Sequence, residues 1–377
     1  MNKLIKTAFR ANLYSLIIAA KIVVLILWQL IQSDAPDYFG RYAICLGLTN
    51  TFFIFAGMRG RILTFGAIES FRDFRALTGF MALFGTIALG LVLILYFGNP
   101  LLTVLLLVAA AKFCEMFLDT NTSYIQKTLG RNKAFALLNQ HSTLLICGFF
   151  LGLVAGGLQG AILAEIVVLA FTLIRQSRVL ACKPEPEAVK ERGALSVISN
   201  GLELTLAATL NSAIITGFLF WGGFYLAESE LLLIAKILTL QAFCARLITG
   251  NNIFFQKELT DGRHQVARVA WWIAIAGLAC LGTMWTLYLT LSQLVDVTMA
   301  LYGFGAAFTL INIANIAIRQ QLLLGGVVRP LIAVHTIEFV VLMTIYYGLE
   351  PNAIVGFLVF SLFRLLRTLS FIRLLSR

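Results

Sequence analysis

Long apolar stretches separated by short polar loops run through the whole sequence. A membrane-spanning helix needs about 20 mostly apolar residues. Twelve stretches of roughly this kind occur, at residues 11–32, 40–57, 76–97, 100–124, 134–154, 158–176, 196–223, 228–250, 268–290, 294–318, 329–348 and 351–371. The pattern predicts an all-α polytopic membrane protein with about twelve transmembrane helices.

The longest polar segment runs from Arg175 to Gly193, and its prolines and alternating charges are typical of a linker. It predicts an N-terminal lobe at residues 1–180, a cytoplasmic linker at 181–193 and a C-terminal lobe at 194–377. Each lobe then contains six spans in the same orientation. Such a pair of lobes favours a transporter with its substrate site between them.

Composition agrees with a membrane protein and excludes several other classes. Apolar residues make up 60% of the chain and charged residues only 12%, against about 25% charged in soluble domains. This excludes a water-soluble enzyme and a disordered chain. The six cysteines lie far apart without a Cys-x-x-Cys pair, so we expect neither a metal site nor a disulfide framework. No phosphate-binding G-x-x-x-x-G-K-[ST] loop is present, so we expect no ATP hydrolysis and no cofactor.

The net charge of +11 comes from bases that gather in every second loop. Basic loops remain in the cytoplasm, so this charge does not indicate nucleic-acid binding. The opposite loops carry mainly acids, namely Asp34, Asp37, Glu228, Glu230, Asp296 and Glu350. The alternation predicts that both termini are cytoplasmic. Residues 1–10 resemble the basic region of a signal peptide, but no small-residue cleavage site follows and the apolar stretch continues to about Ile31, so we expect a retained first helix.

The fourth span contains the densest group of polar residues inside the predicted membrane. Lys112, Glu115, Asp119, Ser123 and Gln126 lie at helical offsets of 0, 3, 7, 11 and 14, which places them on one stripe. Lys112 and Glu115 are spaced to pair along the helix. A charge in hydrocarbon costs at least about 2.5 kcal/mol, so the stripe indicates a water-filled cavity or a seam of ion pairs.

Other predicted spans carry smaller polar faces, for which cavity and seam are both open. The residues are Lys21 and Trp28; Asn200, Glu203 and Asn211; Lys236, Phe243 and Arg246; and Asn312, Asn315 and Arg319. Together their bases outnumber their acids, so a shared cavity would attract an anion such as a diphosphate. Arg364 and Arg367 are interpreted as cytoplasmic anchors. Glu165, His141 and the pair His335 and Glu338 are open to either ion coupling or helix packing.

Three sequence runs resemble bacterial polysaccharide flippases of the O-antigen (Wzx) type. They are D-Y-F-G-R-Y-A-I-C-L-G-L-T-N-T-F-F-I-F-A-G-M-R-G-R-I from Asp37, S-Y-I-Q-K-T-L-G-R-N-K-A-F-A-L-L from Ser123, and A-L-S-V-I-S-N-G-L-E-L at the start of span seven. These flippases belong to the multidrug/oligosaccharidyl-lipid/polysaccharide (MOP) exporter superfamily, together with multidrug (MATE) and lipid II exporters.

The resemblance implies a MATE-like fold and transport of an undecaprenyl-diphosphate-linked oligosaccharide across the bacterial inner membrane. Its expected partners are that lipid-linked glycan, membrane lipids, other polysaccharide-assembly proteins and a coupling H⁺ or Na⁺. By position, we expect the substrate to contact Lys21, Lys112, Lys236, Arg246, Arg319, Trp28, Phe243, Asn200, Asn312 and Asn315. We expect ion coupling at Glu115, Asp119 and Glu203, and a cytoplasmic gate at Arg59 and Arg61.

Two other readings stay open at this point. One is an ion-coupled drug or metabolite antiporter, either of the same superfamily or of the major facilitator type. The loop after span two, G-M-R-G-R-I-L-T-F-G, lacks the major facilitator pattern. The other is a membrane glycan polymerase or glycosyltransferase, which the very short predicted external loops disfavour.

Overall fold

The computed structural model describes residues 21–29, 31–32, 36–58, 60, 63–64, 68, 70–181, 194–239, 311, 315 and 328–375. In this part of the chain the secondary structure is helical. Seven helices are α1 (Tyr38–Ala56), α2 (Phe71–Leu95), α3 (Leu102–Leu129), α4 (Arg131–Ala181), α5 (Ala194–Tyr225), α6 (Val328–Leu349) and α7 (Ala353–Leu375). Residues 21–29 and 228–239 are also helical. Predicted spans nine and ten lie outside the described residues, apart from positions 311 and 315.

Six helices of the described part are long and apolar enough to cross a membrane. They are Tyr38–Ala56, Phe71–Leu95, Asn132–Ala181, Gly201–Tyr225, Val328–Leu349 and Ile354–Phe371. Helix α3 is not among them, although its 28 residues are sufficient in length. The reason is charge, because every 18-residue stretch of α3 contains the three charged residues Lys112, Glu115 and Asp119.

The helix ends follow local capping chemistry. Asp37 begins α1, where its side chain accepts a hydrogen bond from the Gly40 amide at 2.9 Å. Ser70 does the same for α2, accepting from the Asp73 amide at 3.1 Å. At the C-terminal end of α3, the Lys127 ammonium donates to the carbonyls of Thr64 and Ile68. These contacts position the helices that carry the charged groups described below.

Helix α4 is two membrane-length arms joined by a glycine turn. Gly156 and Gly157 have non-helical backbone angles, and Gly157 has a φ of +60°. The turn lies where the sequence predicts the loop between spans five and six, at residues 155–157. Gly152 of the first arm faces the backbone of Gly160 in the second, so the lack of side chains lets the arms approach closely at the turn.

The described residues form two compact units, one within Ile17–Thr216 and the other within Gly217–Arg377. In the first unit, α2 has one buried side and one exposed side. Met81, Ala88 and Val92 are buried, whereas large apolar residues on the opposite side, such as Ile87 and Leu91, are exposed. An exposed apolar face on a helix of this length is typical of contact with lipid.

The second unit has an aromatic core in its described residues. Phe218 of α5 stacks on Phe360 of α7 with ring centroids 5.0 Å apart. Trp221 of α5 stacks on Tyr346 of α6 at 4.9 Å, and the Phe218 ring lies 5.1 Å from Tyr346. The Tyr346 hydroxyl donates to the Gly356 carbonyl at 3.0 Å, which ties α6 to the start of α7. This core holds α6 and α7 together on either side of Glu350.

Candidate functional site

The first unit contains a buried group of two lysines and two glutamates, here called the lysine–glutamate cluster (Lys21, Lys112, Glu115 and Glu165). The ammonium of Lys21 lies 2.5 Å from Glu165 Oε1 and 3.5 Å from Glu115 Oε1. Lys112 lies 2.6 Å from Glu115 Oε2. Three separate chain segments supply these groups: residues 21–29, α3 and the second arm of α4. The four formal charges balance to zero.

Burial is uneven across the lysine–glutamate cluster. The side chain of Glu165 is 1% exposed and that of Lys21 is 6% exposed, whereas Glu115 is 19% exposed. The cluster is therefore most open at Glu115 and closed at Glu165. Within the described part of the chain, the second oxygen of Glu165 accepts no hydrogen bond. Lys21 thus supplies the ion-pair partner of this buried carboxylate.

Further polar side chains lie on helices α1, α3 and α4 of the first unit. The Tyr42 ring lies 5.9 Å from the Lys21 ammonium. On the two arms of α4, His141 Nδ1 and the Thr172 hydroxyl are 2.9 Å apart. Closer to the end of α4, the amide of Gln176 donates to the Thr122 hydroxyl at 2.8 Å. Helices α3 and α4 therefore share a polar face inside the first unit.

The second unit contains a different buried group, here called the arginine cluster (Asn315, His335, Glu338, Arg364 and Arg367). Glu338 of α6 forms two ion pairs with α7. Its Oε2 lies 2.7 Å from Arg367 Nη1, and its Oε1 lies 3.3 Å from Arg364 Nε. Arg367 also lies 3.3 Å from His335 Nδ1. In the amide orientation that satisfies both groups, the Asn315 oxygen accepts from Arg367 Nη2 and Nε at 2.8 and 2.7 Å.

This cluster corrects the interpretation of Arg364 and Arg367 as cytoplasmic anchors. Arg364 is 0% exposed and Arg367 is 3% exposed, and the Arg364 guanidinium also lies 5.0 Å from the Phe360 ring. Both arginines are interior groups that bind a carboxylate of the neighbouring helix. Their spacing of three residues places them on one face of α7, and that face turns toward Glu338.

The structure brings some of the predicted site residues together and separates others. Lys21, Lys112 and Glu115 meet in the lysine–glutamate cluster, and Asn315 belongs to the arginine cluster. Trp28 is half-buried, and its indole nitrogen makes no hydrogen bond within the described residues. Asp119 and Glu203 are exposed on α3 and α5, while Lys236 is buried in the second unit.

Several predicted positions cannot be placed in this geometry. The side chain of Asn200 lies outside the described residues, although its backbone is helical. Also outside them are Arg59, Arg61, Phe243, Arg246, Asn312 and Arg319. Among the residues that are described, no group of three or more His, Cys, Asp or Glu side chains is arranged to hold a metal ion.

Comparison with known proteins identifies the fold. No protein-family model and no curated protein matches the chain, but solved structures do. A chain named only "protein A" superposes with a TM-score of 0.70 at 13% identity, covering 99% of this chain and 95% of that one. A multidrug-resistance MATE-family transporter of the MOP superfamily, in its outward-facing conformation, gives a TM-score of 0.60 at 14% identity, with 97% and 93% covered.

A MOP-superfamily transporter from Pyrococcus furiosus is similar to the same degree. Its TM-score is 0.59 at 12% identity, with 98% and 93% of the two chains covered, and its binding pocket is described as having reverse polarity that suggests a different function. An inward-facing MATE transporter also matches, with a TM-score of 0.56. The chain therefore has the fold of the MOP-superfamily transporters, a membrane-embedded fold solved in both inward- and outward-facing conformations.

Proposed function

We propose that this protein is a flippase that moves an undecaprenyl-diphosphate-linked oligosaccharide across the bacterial cytoplasmic membrane. The lipid-linked glycan would pass from the inner to the outer leaflet by alternating access, for the synthesis of a surface polysaccharide. The fold supports a transporter, and the three sequence runs that resemble polysaccharide flippases support this substrate class. The observation that carries the proposal is the pair of buried lysines in the first unit.

Lys21 and Lys112 are suited to a diphosphate because each lies buried among the helices and forms an ion pair with carboxylate oxygens. A phosphate oxygen offers an ammonium group the same kind of charge-assisted contact as a carboxylate oxygen. Glu115 and Glu165 provide the two buried lysines with ion-pair partners. A diphosphate that arrives on the more open Glu115 side would replace carboxylate contacts and bind both ammonium groups.

The remaining predicted residues take their roles in this proposal by position. Lys236, Arg246 and Arg319 would add positive charge for the headgroup, while Trp28 and Phe243 would stack on sugar rings. Asn200, Asn312 and Asn315 would hydrogen-bond sugar hydroxyls, and Arg59 and Arg61 would line the cytoplasmic gate. Glu115, Asp119 and Glu203 would serve coupling to H⁺ or Na⁺. We also propose the division into lobes 1–180 and 194–377, both cytoplasmic termini, and contact with other polysaccharide-assembly proteins.

A second candidate is an ion-coupled antiporter of cationic drugs. The two carboxylates of the lysine–glutamate cluster favour it, since Glu115 or Glu165 can bind a cation or a proton in place of a lysine. The multidrug-resistance MATE transporters with this fold point the same way. The two candidates differ in which half of the Lys21–Glu165 pair contacts the substrate.

That difference defines the test. The full-length protein is reconstituted in liposomes that contain a short undecaprenyl-diphosphate oligosaccharide, and a lectin reports the glycan that reaches the opposite leaflet. Efflux of a cationic dye is measured in parallel. The variants are Glu165→Gln, which keeps Lys21, and the double variant Lys21→Met/Glu165→Gln, which removes both charges together and leaves no unpaired carboxylate.

The flippase proposal expects glycan translocation by the wild type and by Glu165→Gln. It expects at least about a tenfold loss in the double variant, because a charge-assisted contact contributes about 1.5–3 kcal/mol. Dye efflux that disappears already in Glu165→Gln, without glycan translocation by the wild type, would replace the flippase with the antiporter.

A further inference from the structure

We infer that binding of an anion at Lys21 makes Glu165 take up a proton from solvent. This inference rests on the proposed function, since it assigns to that site the group that couples anion binding to proton movement. It selects Glu165 instead of Glu115, Asp119 or Glu203, the three residues that the sequence favours for coupling. The reasoning begins with how unequally the two glutamates of the lysine–glutamate cluster are provided with partners.

Among the described residues, Glu115 has two lysine partners and Glu165 has one. Lys112 contacts Glu115 at 2.6 Å, and Lys21 reaches the same carboxylate at 3.5 Å. Glu165 contacts Lys21 at 2.5 Å, and its other oxygen has no hydrogen bond in the described part of the chain. When Lys21 and Lys112 turn toward an anion, Glu115 remains 19% exposed to solvent, whereas Glu165 is 1% exposed and loses its ion pair.

An ionised carboxylate left in this position would be strongly disfavoured. The Glu165 side chain is 1% exposed, so water cannot replace the ammonium that leaves it. A buried group in this situation becomes neutral instead of remaining charged and unpaired. Glu165 thus gains one proton on its carboxylate, and that proton comes from the solvent that reaches the cluster at Glu115.

The other titratable groups around the pair do not remove this requirement. Tyr42, Lys112, Cys114, Glu115 and His141 all interact electrostatically with Lys21, Glu165 or Glu115. Lys112 contacts Glu115 and His141 contacts Thr172, and in the described part of the chain neither of them forms an ion pair with Glu165. The side chains of Tyr42 and Cys114 carry no positive charge, so neither can replace Lys21 as a counter-ion.

The sign of the coupling follows from this exchange. The anion and the proton bind to the cluster together, so each strengthens the binding of the other. A carboxylate that simply exchanges a cationic substrate for a proton would give the opposite sign. The lysine–glutamate cluster therefore links the substrate to proton movement through one displaced lysine.

The test counts protons on the full-length protein in detergent. Inorganic diphosphate is titrated calorimetrically in two buffers of different ionisation enthalpy, which gives the number of protons taken up per anion bound. The wild type is compared with Glu165→Gln and with Glu230→Gln, a matched change at an exposed position of the second unit. Protonation of diphosphate itself is common to all three proteins and cancels in the comparison.

We expect the wild type and Glu230→Gln to take up about one proton more per diphosphate than Glu165→Gln does. We also expect Glu165→Gln to bind diphosphate at least as tightly as the wild type, because its Lys21 has no competing carboxylate at position 165. Equal proton counts in wild type and Glu165→Gln would overturn the inference and leave the flippase proposal standing. Absence of diphosphate binding by the folded wild type would overturn both.

Discussion

Buried charges in this protein are held in small groups whose members come from different helices. In the lysine–glutamate cluster, four charges balance within hydrogen-bonding distance of one another. Breaking a buried ion pair by removing one partner costs about 3–5 kcal/mol, because the other charge stays behind without compensation. Removing both partners avoids that cost, and this asymmetry gives each pair a distinct mutational signature.

Lys21→Met should destabilise the protein more than the double variant Lys21→Met/Glu165→Gln does. In the single variant Glu165 is left buried without its ammonium partner, whereas in the double variant both sites are neutral. We expect the single change to cost about 3–5 kcal/mol and the added Glu165→Gln to recover most of that loss. The measurement is the midpoint of thermal unfolding in detergent at one fixed pH.

Lys21→Arg is the control, because it keeps the positive charge at the same position. It should unfold close to the wild type. A double variant that is less stable than Lys21→Met would contradict a stabilising ion pair between Lys21 and Glu165.

Sequence spacing predicts pairs along one helix but not pairs between helices. The contact between Lys112 and Glu115, three residues apart on α3, is a confirmed prediction. The contact between Lys21 and Glu165 joins residues 144 positions apart, and no local pattern encodes it. Arg364 and Arg367 were misassigned for the same reason, since their position near the chain end resembles an anchor until Glu338 of α6 is placed beside them.

At the scale of helices, the hydrophobic pattern is a good guide because membrane thickness fixes the length of each apolar stretch. Predicted spans 40–57, 76–97, 329–348 and 351–371 correspond to α1, α2, α6 and α7, with no boundary more than five residues away. Helix α3 continues to Leu129, five residues beyond its predicted end at 124. The extension is a polar turn that Lys127 ties to the Thr64 and Ile68 carbonyls, and hydropathy does not detect it.

The glycine turn of α4 yields a prediction with a neighbouring control. Gly157 has a φ of +60°, and a Cβ there would lie 2.9 Å from the Tyr38 hydroxyl oxygen. Gly157→Ala should therefore destabilise the protein by about 1–3 kcal/mol through backbone strain and a close contact. Gly156 has a φ of −148° and open space around its Cβ position. Gly156→Ala should be close to neutral, and thermal unfolding of the two variants side by side checks the difference.

A result in which both alanine variants unfold like the wild type would mean that the turn relaxes without cost. The arms of α4 would then depend on contacts such as that between Gly152 and Gly160 instead of on the conformation of the turn. Equal destabilisation by both changes would show instead that any side chain at the turn disrupts it.

At the scale of the whole molecule, the fold is shared with transporters that are only 12–14% identical to this chain. Such a likeness at low identity is expected where the bilayer requires only apolar helices of suitable length and closely packed small residues. The same property explains why the fold class could be read from the sequence while the substrate could not. Substrate choice depends on a few side chains whose contacts form only after folding.

Orientation in the membrane is the last property that the sequence predicts for the whole chain. Bases concentrate on one side of the predicted spans and acids on the other, and basic loops are retained in the cytoplasm. Alkaline phosphatase fused to the chain is active only outside the cytoplasm. Green fluorescent protein becomes fluorescent in the cytoplasm but not when it is exported in an unfolded state. Fusions after Ala181 or at the C-terminus should therefore fluoresce and lack phosphatase activity, and fusions after Asn99, Leu226 or Glu350 should show the reverse. Phosphatase activity of the fusions at both Ala181 and the C-terminus would show that the protein has the opposite orientation in the membrane. The lysine–glutamate cluster would then bind its anion from the opposite leaflet.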